Sequence, residues 1–267
     1  MQKFLLWFIQ LSPITKRWFW RVWYNLFSKK SKKLNFKLMN YGYAKKGFKI
    51  QLLDEDEKER YPIQLYHHIT NQIEVTNLDV LEIGSGRGGG ASYVHRYFKT
   101  KSLVGLDISV SAVELCNERY SEPGLSFVVG DSENPPFTEK TFDVVLNVES
   151  SHCYGNIECF LSGVLRLLKK DGFFLWSDFR SHQEMKDLFD LFLSVGFKIV
   201  KEEDITRNIL LSLERLSPER ERHINKQVPL PFRKLFKSYA GIKGGGMYEA
   251  FDSGLLVYKC ATLKKII

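Results

Sequence analysis

The sequence predicts an α/β protein built on a mostly parallel, doubly wound sheet. Three observations carry that expectation. Short apolar runs alternate with helix-length segments along most of the chain, the pattern of strand–helix–strand units. The first run ends in a cluster of glycines that opens a helix. An acid stands in or just after each of the first three runs. Together they describe a Rossmann-like sheet of seven strands with helices on both faces.

In order, residues 63–74 read as a helix leading into the core. Asp79–Ile83 is a short buried strand and Ala91–Tyr97 its helix. Ser102–Leu106 and Ser111–Arg119 form the next pair, Leu125–Val129 the third strand and Phe142–Val148 the fourth. A helix near Ile157–Leu168 follows. The turn Lys169-Lys170-Asp171-Gly172 introduces the fifth strand, Gly172–Ser177. Gln183–Ser194 is helical, Phe197–Glu202 the sixth strand and Leu255–Thr262 the seventh. Residues 204–250 interrupt the last connection. Within them Arg207–Arg222 is helical, Val228-Pro229-Leu230-Pro231 a breaker and Gly244-Gly245-Gly246 a hinge. An insertion there reads as a lid. The expected division is an arm over 1–60 and one main domain over 61–267.

The 267 residues are 44% hydrophobic and 26% charged, ordinary for a globular chain. The net charge of +8 is uneven. Residues 1–50 hold twelve Lys or Arg and no acid, which leaves 27 basic against 31 acidic residues elsewhere, a net of −4. Trp7, Trp18, Trp20 and Trp23 lie among those basic residues. Tryptophan with lysine and arginine suits the interface of an anionic membrane. The bulky apolar residues between them add nothing to phosphate binding, so nucleic acid is not expected. An arm packed on its own domain stays open. The run Phe4–Leu11 is far shorter than the about 20 residues a span needs, and no small-x-small cleavage site follows it. Cys116, Cys153, Cys159 and Cys260 form no CxxC pair. Reduced thiols, a cytoplasmic location with peripheral membrane attachment, and no metal site are expected.

The strongest motif is Val80-Leu81-Glu82-Ile83-Gly84-Ser85-Gly86-Arg87-Gly88-Gly89-Gly90. Glycines serve where backbone turns tightly and approaches a ligand, and the helix behind them favours a ligand's negative end. The string also satisfies the dinucleotide pattern G-x-G-x-x-G at Gly84, Gly86 and Gly89. Glu82 separates the two. Beside a pyrophosphate its charge is unfavourable; beside the ammonium and sulfonium of S-adenosylmethionine it is favourable. Asp107 closes the second strand, where an acid bonds ribose hydroxyls in either class. Asp131, after the third strand, has no place in the dinucleotide pattern.

With these residues the chain resembles the class I S-adenosylmethionine-dependent methyltransferases. The E-x-G-x-G-x-G string at Glu82–Gly88, Asp107, Asp131 with Ser132, and Asn134-Pro135-Pro136-Phe137 before Phe142-Asp143-Val144-Val145 carry the likeness. It implies a cofactor set of Glu82, Gly84, Ser85, Gly86, Gly88, Asp107, Ile108, Asp131, Ser132 and Asn147, the adenine lying at Asp131 and Ser132. Tyr43, in Tyr41-Gly42-Tyr43, is implied at the methionine end. Tyr66-His67-His68, Gly88–Tyr93, Gly105-Leu106-Asp107, Glu149–Tyr154 and Arg21-Val22-Trp23-Tyr24 narrow the resemblance to the phthiotriol/phenolphthiotriol dimycocerosate methyltransferases. Those are O-methyltransferases of a polyketide-derived lipid. The likeness spans roughly residues 16–260 and weakens at 204–240.

His152 sits in the loop after the fourth strand, at the sheet edge where ligands bind. An imidazole there can accept the proton of a hydroxyl acceptor, or only bond loop backbone. Glu149 is a second catalytic candidate or holds His152. Tyr66 and His67, on the entry helix, are read as substrate-binding. Asp178 reads as a loop acid. The leading expectation is O-methylation of a hydroxylated lipid or polyketide-derived amphiphile. N- or C-methylation of a small or sterol-like acceptor, a non-catalytic cofactor-binding protein and a dinucleotide oxidoreductase remain open.

Overall fold

A computed structural model describes residues 36–266. A single sheet of seven strands runs in the order β3-β2-β1-β4-β5-β7-β6. The strands are β1 (Asp79–Ile83), β2 (Ser102–Asp107), β3 (Leu125–Val129), β4 (Phe142–Val148), β5 (Leu168–Arg180), β6 (Phe197–Asp204) and β7 (Val257–Lys265). The first five pair in parallel, and β7 runs antiparallel between β5 and β6. The chain order reverses between β1 and β4, so their carboxyl ends flank the crevice where open α/β sheets take ligands.

The main helices are α1 (Arg60–Thr70), α2 (Gly89–Phe98), α3 (Val110–Arg119), α4 (Ile157–Leu167) and α5 (His182–Val195). Side chains alternate across the sheet. Val80, Leu103, Val144 and Leu175 face one core, which α1 and α2 cover. Leu81, Ile83, Val145, Phe174 and Trp176 face the other, under α4 and α5. Local chemistry sets the helix ends. Ser109 and Asn156 cap α3 and α4, accepting from the Ala112 and Cys159 N–H groups. Ser181 and Glu184 form a reciprocal capping box on α5, which Gly196 closes at φ 116°.

The boundaries of α1 and β5 differ most from expectation. Helix α1 starts at Arg60, out of a short 3₁₀ turn over Glu57–Glu59, and ends at Thr70, with Asn71 N–H as its C-cap still bonding the His67 carbonyl. The expected turn at 169–172 is instead a bulge within β5, where the register against β4 shifts between Phe142 and Val144. Asp178 therefore lies inside β5, fully buried, and not on a loop.

The 204–250 insertion holds α6 (Thr206–Gln227), α7 (Leu230–Tyr239) and α8 (Gly246–Asp252). Helix α6 runs through Pro218 and stops before Val228-Pro229, since a residue preceding proline disfavours helical angles. It clamps a strap made by residues 36–44. Ser212 Oγ donates to the Tyr41 carbonyl at 2.9 Å and Asn208 Nδ2 to the Ala44 carbonyl at 3.0 Å. Arg220 donates to the Asn40 and Ala240 carbonyls at 2.8 and 2.7 Å. Leu38, Asn40, Tyr41, Tyr43 and Ala44 are buried. Residues 1–35, with the four N-terminal tryptophans and eight of the twelve basic residues of 1–50, lie outside the described residues.

Candidate active site

The glycine loop hangs on the end of β2. Gly84 and Ser85 donate their N–H groups to the Leu106 carbonyl at 2.8 and 3.0 Å, and Gly86 N–H donates to Asp107 Oδ2 at 2.8 Å. Gly84 and Gly86 hold φ of 80° and 54°, which L side chains rarely adopt. Asp107 Oδ1 accepts from Ser109 N–H at 2.9 Å. Despite these two donors, desolvation pushes its carboxyl up to about 6. Ile108 follows directly, half-buried.

Glu82 points into the core between β1 and α1. Tyr66 Oη donates to its Oε1 at 2.6 Å. Burial pushes the Glu82 carboxyl up to about 7; the Tyr66 hydrogen bond and the Ala91 backbone N–H oppose the shift and Asp107 adds to it. Gly90 makes the Tyr66 approach possible, because a Cβ there would stand 2.0 Å from the tyrosine ring. Tyr66 thus holds a candidate cofactor ligand from behind.

Three buried polar atoms around the loop have no hydrogen-bond partner among the described residues: Glu82 Oε2, Ser85 Oγ and Asn147 Oδ1. Asn147 Nδ2 donates to the Ile83 carbonyl at 2.8 Å, with Ser150 Oγ and Tyr154 Oη also in reach at 2.8 and 3.0 Å. A buried carboxylate oxygen without a full hydrogen bond is costly unless a ligand supplies one. An amino-acid ammonium is such a donor, and Asp107 at the mouth suits a ribose. The residues present therefore fit S-adenosylmethionine. Asp131 stands farther along the edge. It turns the chain through Glu133 N–H, which donates to its Oδ1 at 2.9 Å, with Ser132 half-buried beside it.

On the other side of β4 lies a group centred on Asp178. His152, in the 3₁₀ turn Ser151–Cys153, sets Nδ1 2.9 Å from Asp178 Oδ1 and donates its backbone N–H to Oδ2 at 2.9 Å. Ser151 Oγ donates to Oδ2 at 2.7 Å, and Arg180 lies at 3.3 Å. Burial alone would raise the Asp178 carboxyl, but His152 and Arg180 hold it well below the usual carboxylate range. Burial would lower the His152 imidazole. The neighbouring Cys153 and Asp178 outweigh that and push it up to about 10.

Glu149, at the end of β4, holds φ 50°, a left-handed angle that turns its carboxyl back toward the strap. Its Oε2 accepts from Tyr41 N–H at 2.9 Å and Tyr258 Oη at 3.1 Å. Burial pushes its carboxyl up to about 8. An aromatic wall flanks His152: Phe179 at 4.5 Å between ring centroids, then Tyr41 and Phe251 at 5.8 and 5.6 Å from Phe179. Phe251 comes from α8, so the insertion contributes to this wall.

The structure does not bring Tyr43 and His67 to the loop. Tyr43 stacks on His68 at 4.2 Å, and His67 Nδ1 hydrogen-bonds Tyr93 Oη at 2.7 Å with Phe98 beside it. Both are packing residues around α1. Within Tyr41-Gly42-Tyr43 it is Tyr41 that meets the site. Sequence reasoning names the segment Tyr41-Gly42-Tyr43 but singles out Tyr43, and it misses the role of Asp178. The signal for Asp178 was its place two residues beyond a buried tryptophan in a strand, which puts both on one face.

Residues 81–176 match the methyltransferase domain family. A phthiotriol/phenolphthiotriol dimycocerosates methyltransferase of Mycobacterium tuberculosis is 32% identical over 93% of this chain and 92% of its own length. The chain belongs to that methyltransferase family. It is an S-adenosylmethionine-dependent enzyme. A fatty-acid O-methyltransferase of Mycolicibacterium smegmatis is 35% identical to this methyltransferase over 75% of the chain and 74% of that protein. A geranyl diphosphate C-methyltransferase of Streptomyces coelicolor, solved with S-adenosyl-L-homocysteine, shares the fold at a TM-score of 0.68 and 14% identity, covering 94% of this chain and 98% of its own. That likeness at so low an identity speaks for the fold alone.

Proposed function

We propose that this methyltransferase methylates an oxygen of a lipid-like acceptor, a hydroxylated lipid or polyketide-derived amphiphile, and that His152 faces the reacting oxygen. The observation that carries this is the His152–Asp178 pair set against the aromatic wall at the sheet edge. The names of the two sequence relatives support the lipid-like class.

S-adenosylmethionine, when bound, supplies an electrophilic methyl group on a sulfonium. Every other part is the chain's own. Glu82 offers Oε2 to the ammonium, Asp107 takes the ribose, and Gly84, Ser85, Gly86 and Gly88 let the backbone come close. Asp131 and Ser132 edge the adenine end, with Ile108 and Asn147 completing the cofactor set. Asp178 fixes the His152 ring through Nδ1, 2.9 Å from Oδ1. Glu149 ties the strap to the sheet and keeps water from the methyl-transfer position. Transfer to oxygen then depends chiefly on alignment, with His152 handling the proton.

The raised imidazole favours a second form of the same reading. At neutral pH His152 is cationic, which suits an acceptor that arrives as a carboxylate and needs no base. The two forms differ in sign with pH. For a hydroxyl acceptor, activity climbs as pH rises toward 10 and His152 gives up its proton. For a carboxylate, activity falls over the same range. Radiolabelled methyl transfer to a long-chain alcohol and a long-chain fatty acid, followed from pH 6 to 10, decides between them. His152→Ala should lower kcat about 10²-fold or more with the hydroxyl acceptor, and Asp178→Asn should lower kcat and move the profile to lower pH. Activity that survives both substitutions with its pH profile intact would remove His152 from the reaction and favour N- or C-methylation. The basic, aromatic residues of 1–50 are proposed to hold the enzyme at an anionic membrane surface from the cytoplasmic side. Deleting residues 1–30 should weaken its sedimentation with anionic vesicles.

A further inference from the structure

Helix α7 is exceptional among the longer helices in burying no residue at all. Phe232, Leu235, Phe236 and Tyr239 recur along it at helical spacing, an apolar stripe. Phe232 is 50% exposed, Tyr239 45%, and Leu230 at its start 75%. An exposed apolar stripe of this kind asks for a partner.

The charge around it says which. From Arg222 to Lys243 the chain carries six Lys or Arg and no Asp or Glu. Lys237 and Lys243 face Glu221 and Glu214 from the neighbouring helix α6. Arg222, Lys226, Arg233 and Lys234 form no ion pair among the described residues. A cationic helix with Leu, Phe and Tyr exposed suits the headgroup layer of an anionic bilayer. There the rings sit at the boundary of the acyl chains and the cations meet lipid phosphate.

A second observation points the same way. The described chain begins at Phe36, whose ring packs edge-on against His223 of α6 at 4.9 Å between centroids. His223 lies within the same acid-free stretch. The first described residue therefore lies beside this stretch, and the basic, tryptophan-rich residues 1–35 precede it in the sequence.

We propose that α7, with the basic residues flanking it, is a lipid-docking face whose partner is an anionic bilayer surface. It adds a second, folded contact to the one proposed for residues 1–50 and does not depend on which atom is methylated. Wild-type sedimentation with vesicles of phosphatidylcholine alone, and of phosphatidylcholine with phosphatidylglycerol, tests it in the full chain. Two variants are compared, Leu230→Asp with Phe232→Asp, and Arg233→Glu with Lys234→Glu. Calorimetric binding of S-adenosylhomocysteine serves as the folding control. The wild type should partition onto the anionic vesicles only, and less so as salt rises. Each variant should partition about tenfold or more weakly while still binding S-adenosylhomocysteine. Wild-type protein that ignores anionic vesicles overturns the proposal, as does either folded variant that partitions like wild type. Methyl transfer to a detergent-dispersed acceptor, run in parallel, separates this from failure of the acceptor reading. Lost transfer with intact partitioning counts against the acceptor alone.

Discussion

Gly90 and Tyr66 are matched across two helices. The missing side chain at Gly90 is the space in which the tyrosine ring lies, and that ring delivers its hydroxyl to Glu82. Gly90→Ala must move Tyr66 or the backbone of α2. Overpacking of this kind costs about 1–3 kcal/mol, which a denaturant midpoint should report. The same substitution should weaken S-adenosylhomocysteine binding, because Glu82 loses the group that orients it. Tyr66→Phe in the Gly90 background should weaken binding without the packing cost. If Gly90→Ala left both stability and binding unchanged, the Tyr66–Glu82 contact would have no part in forming the site. Among the residues nearby, Asp107 is set differently: two backbone N–H groups hold its carboxylate in place before any ligand arrives.

At the scale of elements, the strap over residues 36–44 and helix α6 act as one unit. Arg220 of α6 joins them through the Asn40 carbonyl and also holds the Ala240 carbonyl at the end of α7, with the Glu149 carboxyl near enough to offset part of its burial. Arg220→Met leaves both carbonyls without their donor and should cost about 1–3 kcal/mol. It should also raise the KM for S-adenosylmethionine, since the strap bonds the loop helix through Gly89 N–H and the Lys37 carbonyl. An unchanged KM would mean that the strap is a support remote from the cofactor. Such tertiary ties explain what could be read in the sequence and what could not. The strands, the glycine loop and the acids at Glu82, Asp107 and Asp131 are local patterns, and each of the seven strands forms at its expected place in the order, with β5, β6 and β7 running beyond their expected bounds. The choice of Tyr41 over Tyr43 depends on which face of the strap meets Glu149. The role of Asp178 depends on a strand that begins before the turn signal at 169–172. Neither is encoded within a short window, since each is decided by an element distant in the chain. His67 is a like case: its helix is legible in the sequence, but not that its ring turns to Tyr93 and Phe98.

The whole molecule carries the consequence of building this site from buried carboxyls. Glu82 and Glu149 are raised to about 7 and 8 and Asp107 to about 6. A carboxyl whose folded pKa lies above its unfolded value binds its proton more tightly when folded. Folding stability is then greatest at low pH within this range and falls as pH rises from the unfolded pKa to the folded one. For Glu82, with no solvent exposure, the loss between pH 4.5 and pH 7 is about 3 kcal/mol. A cationic ligand offsets this loss, because the ammonium of S-adenosylhomocysteine compensates the charge that burial penalises. Urea midpoints at pH 5 and pH 8, with and without S-adenosylhomocysteine, should therefore diverge. The ligand-free protein loses stability at the higher pH and the bound protein loses much less. Glu82→Gln, which cannot ionise, should flatten the ligand-free dependence by about the Glu82 share and weaken the ligand's stabilising effect at pH 8. A ligand-free stability that stays level from pH 5 to pH 8, or a Glu82→Gln protein that the ligand stabilises as well as wild type, would mean that Glu82 does not meet the ammonium and that its buried charge is balanced within the fold.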